Sequence, residues 1–236
     1  MTQGLPLILR RLVMLHESLE DAGLDHAVGG ALALAFHVRD PRGTSDIDIN
    51  VIADPNDPDT VLAALPPEIT IHPGARDELK TTGQTRLIWP DPNTPVDVFL
   101  PQHPVFHRVA VERGVPIDMA GTELKVLTAT DLMVFKMYYN RTKDWADIES
   151  LLEAGAGDPV EAGQWIEEFL GPHDPRLERL RQTLATVHRP ARPLHRATGS
   201  PSTVCGIWVP DDARHCTLAA EHPGEHNTDP DMASPL

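Results

Sequence analysis

Asp46 and Asp48 stand two residues apart in the run Ser45 to Ile52 (SDIDINVI), where polar and apolar residues alternate. In a strand, alternate side chains share a face. The two carboxylates therefore project together, while Ile47 and Ile49 point the other way toward a core. Paired carboxylates repel each other and are costly to bury without a partner. A magnesium ion, which takes hard oxygen ligands, relieves that cost. The same pair also suits an exposed strand with two solvated aspartates. A third carboxylate, Asp97, lies inside the apolar run Val96-Asp97-Val98-Phe99. It fits an edge strand guarded against aggregation. It equally fits a site where it completes the metal cradle and takes the proton of an attacking hydroxyl. Gly29-Gly30 ends a short apolar segment and precedes good helix formers. Glycines at such a turn let backbone N–H groups approach phosphate oxygens beside a helix start. Most glycine pairs simply make turns.

These residues need elements to hold them. Leu5 to Ala22 carries leucines at 7, 12, 15 and 19, near helical spacing, with Gly23 as a stop. Asp25–Val28, the glycine pair and Ala31 to His37 read as strand, turn and helix. Pro41-Arg42-Gly43 is a turn. Asp59 to Leu65 is a short helix closed by Pro66-Pro67. Glu68–His72, Gln84–Trp89 and Pro95–Leu100 are expected strands, and Pro104 to Gly114 a helix. From Ala129 the pattern is helical, over Asp131–Tyr139, Lys143–Glu153, Val160–Leu170 and Pro175–Val187. The expected fold class is α/β (α+β): a small mixed-sheet core, then a C-terminal helical bundle, then a partly disordered tail. The expected domains are 1–128, 129–188 and 189–236, with Arg189–Ser202 as a proline-rich linker.

Gly29-Gly30, the run Arg42-Gly43-Thr44-Ser45-Asp46-Ile47-Asp48 and the later Asp97 together resemble the nucleotidyltransferase superfamily of the polymerase-β type. Thr130-Asp131-Leu132-Met133-Val134-Phe135-Lys136, followed by Arg141-Thr142-Lys143-Asp144-Trp145-Ala146-Asp147-Ile148, resembles the AbiEii/AbiGii toxin-type group of that superfamily. The resemblance covers roughly residues 5–170. It implies a nucleotidyltransferase core that uses two magnesium ions and a nucleoside triphosphate. It places the metals on Asp46, Asp48 and Asp97, and has Asp97 activate the acceptor hydroxyl. It gives Lys136 the triphosphate charge, and Asp144 the task of organising that lysine or the acceptor. Gly29, Gly30, Arg42, Thr44, Ser45 and Lys143 would contact the nucleotide. The acceptor it implies is a tRNA 3′ end, with an antitoxin protein as partner. The chain departs from the pattern in two places. The loop Arg39-Asp40-Pro41-Arg42 lengthens the spacing from Gly30 to Asp46, and Gly-Gly stands where many relatives have Gly-Ser. Without the resemblance, Lys136 reads as a snorkelling lysine. Arg141, Lys143, Asp144 and Asp147 then read as a solvated face with pairs at helical spacing, and Met133, Phe135, Met137 and Tyr138 as core.

Composition narrows the classes. The net charge is −15, which opposes a broad electrostatic grip on nucleic acid. No apolar run approaches the roughly 18 residues of a membrane helix. The beginning shows no basic-then-apolar export signal, so the chain is expected to be cytoplasmic, with no membrane partner. The two cysteines, Cys205 and Cys216, lie in the tail with His222 and His226. The spacing of His222 and His226 is typical of zinc ligands, and Ile207 to Val209 suits a small hairpin between the sulfurs. The alternative is a disordered tail with incidental ligand-type residues. Two further functions stand beside tRNA modification: AMP transfer to a protein or a small molecule, as in antibiotic-modifying relatives, and a catalytically silent nucleotide-binding module.

Overall fold

The computed structural model describes residues 4–187 and, beyond them, the backbone of two short strands at 208–209 and 214–215. The chain divides into two compact units, Met1–His188 and Arg189–Leu236.

The first unit opens with helix α1 (Leu7–Asp21). Leu12, Leu15 and Leu19 recur on one face and are fully buried. Gly23, at φ 68°, ends the helix, because a left-handed residue there costs glycine nothing. Strand β1 (His26–Val28), helix α2 (Gly30–Leu34) and strand β2 (Ile47–Val51) follow. Next come α3 (Pro58–Ala63), α4 (Ala75–Thr82), β3 (Gln84–Trp89) and β4 (Thr94–Phe99). Helix α5 (Pro104–Glu112) leads into the hairpin β5 (Val115–Met119) and β6 (Thr122–Val126). Four helices complete the unit: α6 (Ala129–Tyr139), α7 (Thr142–Glu153), α8 (Pro159–Leu170) and α9 (Pro175–Val187).

The six strands form one mixed sheet in the order β3-β4-β2-β1-β6-β5. β2 runs parallel to β4, and β1 parallel to β6; the remaining pairs are antiparallel. One face of the central strands is apolar. Ile47, Ile49 and Val51 of β2, Val96 and Val98 of β4, and Leu87 of β3 are wholly buried. The guanidinium of Arg11, buried beneath α1, donates to the Pro90 and Pro92 carbonyls at 2.5 Å and to Thr94 Oγ1 at 2.6 Å. It thereby pins the β3–β4 turn. On the helical side, Arg113 binds the fully buried Asp131 of α6 and Glu161 of α8, tying the end of α5 to both helices.

The expected fold class, a mixed-sheet α/β core followed by helices, is the one observed. Three local expectations are corrected. Glu68–His72 is not a strand. Only Thr70 bridges Ile88, on the free edge of β3; Pro66, Pro67 and Pro73 flank the run and lack the N–H a longer ladder would need. The helix expected to reach His37 ends at Leu34 and continues as a turn. α4 and the β5–β6 hairpin were not expected at all. α4 ends at Gly83, in the left-handed conformation at φ 66°. The hairpin turns at Ala120-Gly121, both at positive φ as its two-residue loop requires.

In the second unit, Trp208–Val209 pairs antiparallel with Arg214–His215. The proposed zinc ligands Cys205, Cys216, His222 and His226, and the expected disorder of the tail, lie outside the described residues.

Candidate active site

Strand register brings the carboxylates together. On β2 and β4, Asp48 is directly opposite Asp97. On β4 and β3, Asp97 is directly opposite Arg86. Paired residues on adjacent strands share a face, so Asp48, Asp97 and Arg86 form one row across three strands. Ile47, Ile49, Val96 and Val98 face the other way into the core, which fixes the register: a slip by one residue would bury the acids and expose the hydrophobics. Asp46, just before β2, joins the row through Arg86. The guanidinium donates to Asp97 at 2.8 and 2.6 Å and to Asp46 at 3.2 Å. Thr44 Oγ1 accepts from the Asp46 backbone N–H, and Ser45 Oγ donates to the Asp46 carboxylate at 2.9 Å, so both residues shape the approach to β2.

Asp48 is different from the other two. No described side chain hydrogen-bonds its carboxylate. Burial pushes its pKa up to about 6. The charges of Asp97 and Asp46 add to that, while Lys136 and Lys143 oppose it. A half-buried carboxylate that faces a pocket and is crowded by two others makes a hard-oxygen donor set that magnesium fits. Arg86 bonds Asp46 and Asp97 and, among the described residues, not Asp48.

The glycine pair sits against this carboxylate. Gly30 has φ 58°, and a Cβ there would come within 1.9 Å of Asp48 Oδ2. A Cβ on Gly29 would meet Asn50 Nδ2 at 2.7 Å, and the Gly29 N–H donates to the Asp48 carbonyl at 2.8 Å. Gly30 is therefore required by its positive φ and its close approach to β2, before any phosphate is considered, whereas a Cβ on Gly29 would press only on the end of the Asn50 side chain.

The helical residues are arranged differently from the expectation. Lys136 and Asp144 line one pocket of about 390 Å³ with Gly30, Asp48 and Tyr139. The Lys136 ammonium, however, is bonded to Asp147 at 2.6 Å, with both side chains buried. Asp147, not Asp144, organises that lysine. Asp144 instead accepts from Arg141 at 2.7 and 3.0 Å and caps α7 through the Arg141 N–H. Arg42 also binds Asp147, at 2.9 and 3.1 Å, and lines a separate hollow with Val38 and Ser150. Burial alone would raise the Asp147 pKa, but hydrogen bonds from Arg42 and Lys136 hold it below the usual carboxylate value. Lys143 is exposed, forms no ion pair among the described residues, and lies within electrostatic reach of Asp48.

A second, larger hollow of about 940 Å³ opens on the other side of Tyr139 and Arg141, lined by Gln84, Arg86, Asp97 and Phe99. Arg141 lies over the Tyr139 ring at 5.2 Å, and Tyr139 packs on Phe99 at 5.9 Å. Burial raises the Tyr139 pKa, so its hydroxyl stays protonated. The carboxylates thus stand between two hollows that share one aromatic and cationic wall. Arg86, Asn50, Tyr139 and Phe99 escaped the sequence reading. Arg86 has the alternation of its strand to recommend it, but only the β3–β4 register sets it opposite Asp97.

No family model matches the sequence, and no curated protein matches it. Among solved structures, the chain is similar to an antigenic nucleotidyltransferase-like protein from Paracoccidioides brasiliensis. That match has 18% identity and a TM-score of 0.42, and covers 76% of this chain and 87% of that one. It is also similar to JHP933 from Helicobacter pylori, at 12% identity and a TM-score of 0.40 over 77% of this chain and 90% of that one. A third is the antibiotic-resistance factor ANT(2'')-Ia, at 12% identity and a TM-score of 0.36 over 75% of this chain and 91% of that one. At such TM-scores these likenesses assign the chain neither a family nor an activity. No helix among the described residues is long and apolar enough to cross a membrane.

Proposed function

We propose that the chain is a metal-dependent nucleotidyltransferase that moves a nucleotide from a nucleoside triphosphate to an acceptor hydroxyl. The observation that supports this is the Asp48–Asp97 register, with Asp46 joined to it and the bare α-carbon of Gly30 set against Asp48. Magnesium held by these carboxylates would neutralise phosphate charge and polarise the α-phosphate.

The residues of the chain do the rest by position and charge. Asp48 faces one pocket and Asp97 its neighbour, with Asp46 joined to Asp97 through Arg86, so a triphosphate and an acceptor approach from two sides. The acceptor oxygen bonds to the α-phosphorus as the bond to the leaving pyrophosphate breaks, and the acceptor proton passes to Asp97. For this, Arg86 must release Asp97; its side chain is half-exposed, so it can exchange the carboxylate for phosphate. Lys143, which forms no ion pair among the described residues, lies within electrostatic reach of Asp48 and can meet phosphate charge there. Lys136 and Arg42 act through Asp147, holding α7 and the loop before β2 in place. Gly29 and Gly30 keep the floor of the pocket open.

The resemblance carried by residues 130–148 favours a toxin-type enzyme acting on a tRNA 3′ end, paired with an antitoxin. The −15 charge opposes a long RNA contact and favours a protein or small-molecule hydroxyl. Purified protein incubated with each labelled nucleoside triphosphate, magnesium, and either total tRNA or a protein lysate separates these. Label on RNA supports the toxin reading, and label on protein or a small molecule supports AMP transfer. Asp48→Asn is expected to abolish transfer to any acceptor while the circular dichroism spectrum is retained. Full activity in that variant would falsify the mechanism. Nucleotide binding without transfer to any acceptor would leave a silent module.

A further inference from the structure

His16 and Glu20 lie one turn apart on α1, on the same face of the helix. After the Gly23 turn the chain returns, and His26 opens β1 beside them. The imidazole and carboxylate donor atoms of these three residues all lie within 4.8 Å of one another. Both rings are buried, at 8% and 5% exposure, and Glu20 stands exposed at the mouth.

The hydrogen bonds fix the tautomers. His26 Nδ1 is 2.7 Å from the Leu24 carbonyl oxygen. A carbonyl only accepts, so Nδ1 bears the proton and Nε2 presents a lone pair. That lone pair accepts from His16 Nδ1 at 2.8 Å. A histidine whose second nitrogen is anchored on a carbonyl is the arrangement that orients metal ligands.

We infer that His16 Nδ1, His26 Nε2 and the Glu20 carboxylate bind a transition-metal ion of the zinc class, with one open position for water. Imidazole donors select zinc, copper or nickel over magnesium, so this site is chemically distinct from the oxygen cluster of Asp46, Asp48 and Asp97. A tetrahedral ion sets two nitrogen ligands about 3.3 Å apart. The rings must therefore open from 2.8 Å by about half an ångström. The His16 proton moves from Nδ1 to Nε2 as its Nδ1 lone pair turns to the metal. The ion clips the end of α1 to β1, the strand that runs into Gly29-Gly30.

The test uses the full chain, stripped of metal and held in excess magnesium, with Cys205→Ser and Cys216→Ser to remove the thiolates. Cobalt and zinc are then titrated by absorbance and calorimetry, and the melting temperature is followed. The expected result is one ion per chain, a weak visible cobalt band without thiolate charge transfer, and a raised melting temperature. Glu20→Gln, an exposed change that spares the packing, is expected to weaken binding about tenfold. His16→Gln and His26→Gln are each expected to weaken it further and to erase the thermal shift. Unchanged affinity in the Glu20 and His26 variants overturns the inference. So does loss of the ion on His222→Gln with His226→Gln, or on Asp48→Asn, since either places the metal elsewhere.

Discussion

Gly30 and Asp48 interlock: the Asp48 carboxylate occupies the space a side chain at residue 30 would fill, with Oδ2 1.9 Å from where a Cβ would stand. The contact joins the turn after β1 to the acidic row of β2 and β4. Alanine at position 30 must displace that carboxylate and also adopt φ 58°. A left-handed conformation costs a non-glycine residue about 1–2 kcal/mol. Gly30→Ala is therefore expected to lose manganese affinity and transfer together, and to lower stability by at least that amount in urea unfolding. An alanine variant with unchanged metal binding would show that the close approach has no bearing on the site.

Arg86 occupies the position of a counter-ion, bridging Asp46 and Asp97. Its side chain is 56% exposed, so its contribution to stability is screened and amounts to about 1 kcal/mol or less. Removing it takes away a competing positive charge. Arg86→Ala is expected to bind manganese several-fold more tightly while transfer slows, because the cation that follows the phosphate is gone. Electron paramagnetic resonance titration checks the first effect and single-turnover transfer the second. Weaker manganese binding would mean that the guanidinium supports the metal site instead of competing with it.

The Lys136–Asp147 pair is buried on both sides, at 7% and 4% side-chain exposure. Taking away one partner of a buried pair strands the other charge and costs about 3–5 kcal/mol. Asp147→Asn is expected to fall in that range and to loosen Arg42, whose bonds to Asp147 hold the loop before β2. The double change Lys136→Met with Asp147→Leu is expected to recover most of the stability and none of the activity. Denaturant unfolding of the two variants, compared with the unaltered chain, decides it.

His107 gives the chain an acid sensitivity of its own. It is buried on α5 against Phe135, and burial, with a further push from His103, lowers its pKa to about 4. The unfolded chain takes up a proton near pH 6.5 that the native state refuses until about pH 4. Stability is therefore unaffected above pH 6.5 and falls as the pH drops from there to about 4. The loss is at most about 3 kcal/mol. His107→Leu is expected to flatten that part of the stability curve, measured by urea unfolding at stepped pH. An unchanged slope in the variant would assign it to other groups.

Local sequence determined a good deal about this protein. Alternation in Ser45 to Ile52 places Asp46 and Asp48 on one face, and it does so because strand side chains repeat every second residue. Leucine spacing marks α1, and the helical periods from Ala129 mark α6 to α9. These are properties of a single segment, legible without knowing its neighbours. The hairpin of β5 and β6 and the short α4 were lost because their signals are two-residue turns and a lone glycine cap. Register and partner choice belong to the tertiary structure alone. Nothing in residues 84–99 says that Arg86 rather than Gln84 stands opposite Asp97. Nothing in residues 136–147 chooses Asp147 over Asp144 for Lys136. Those choices are made when apolar faces close on a common core, and polar side chains bond to whatever that closure sets within reach.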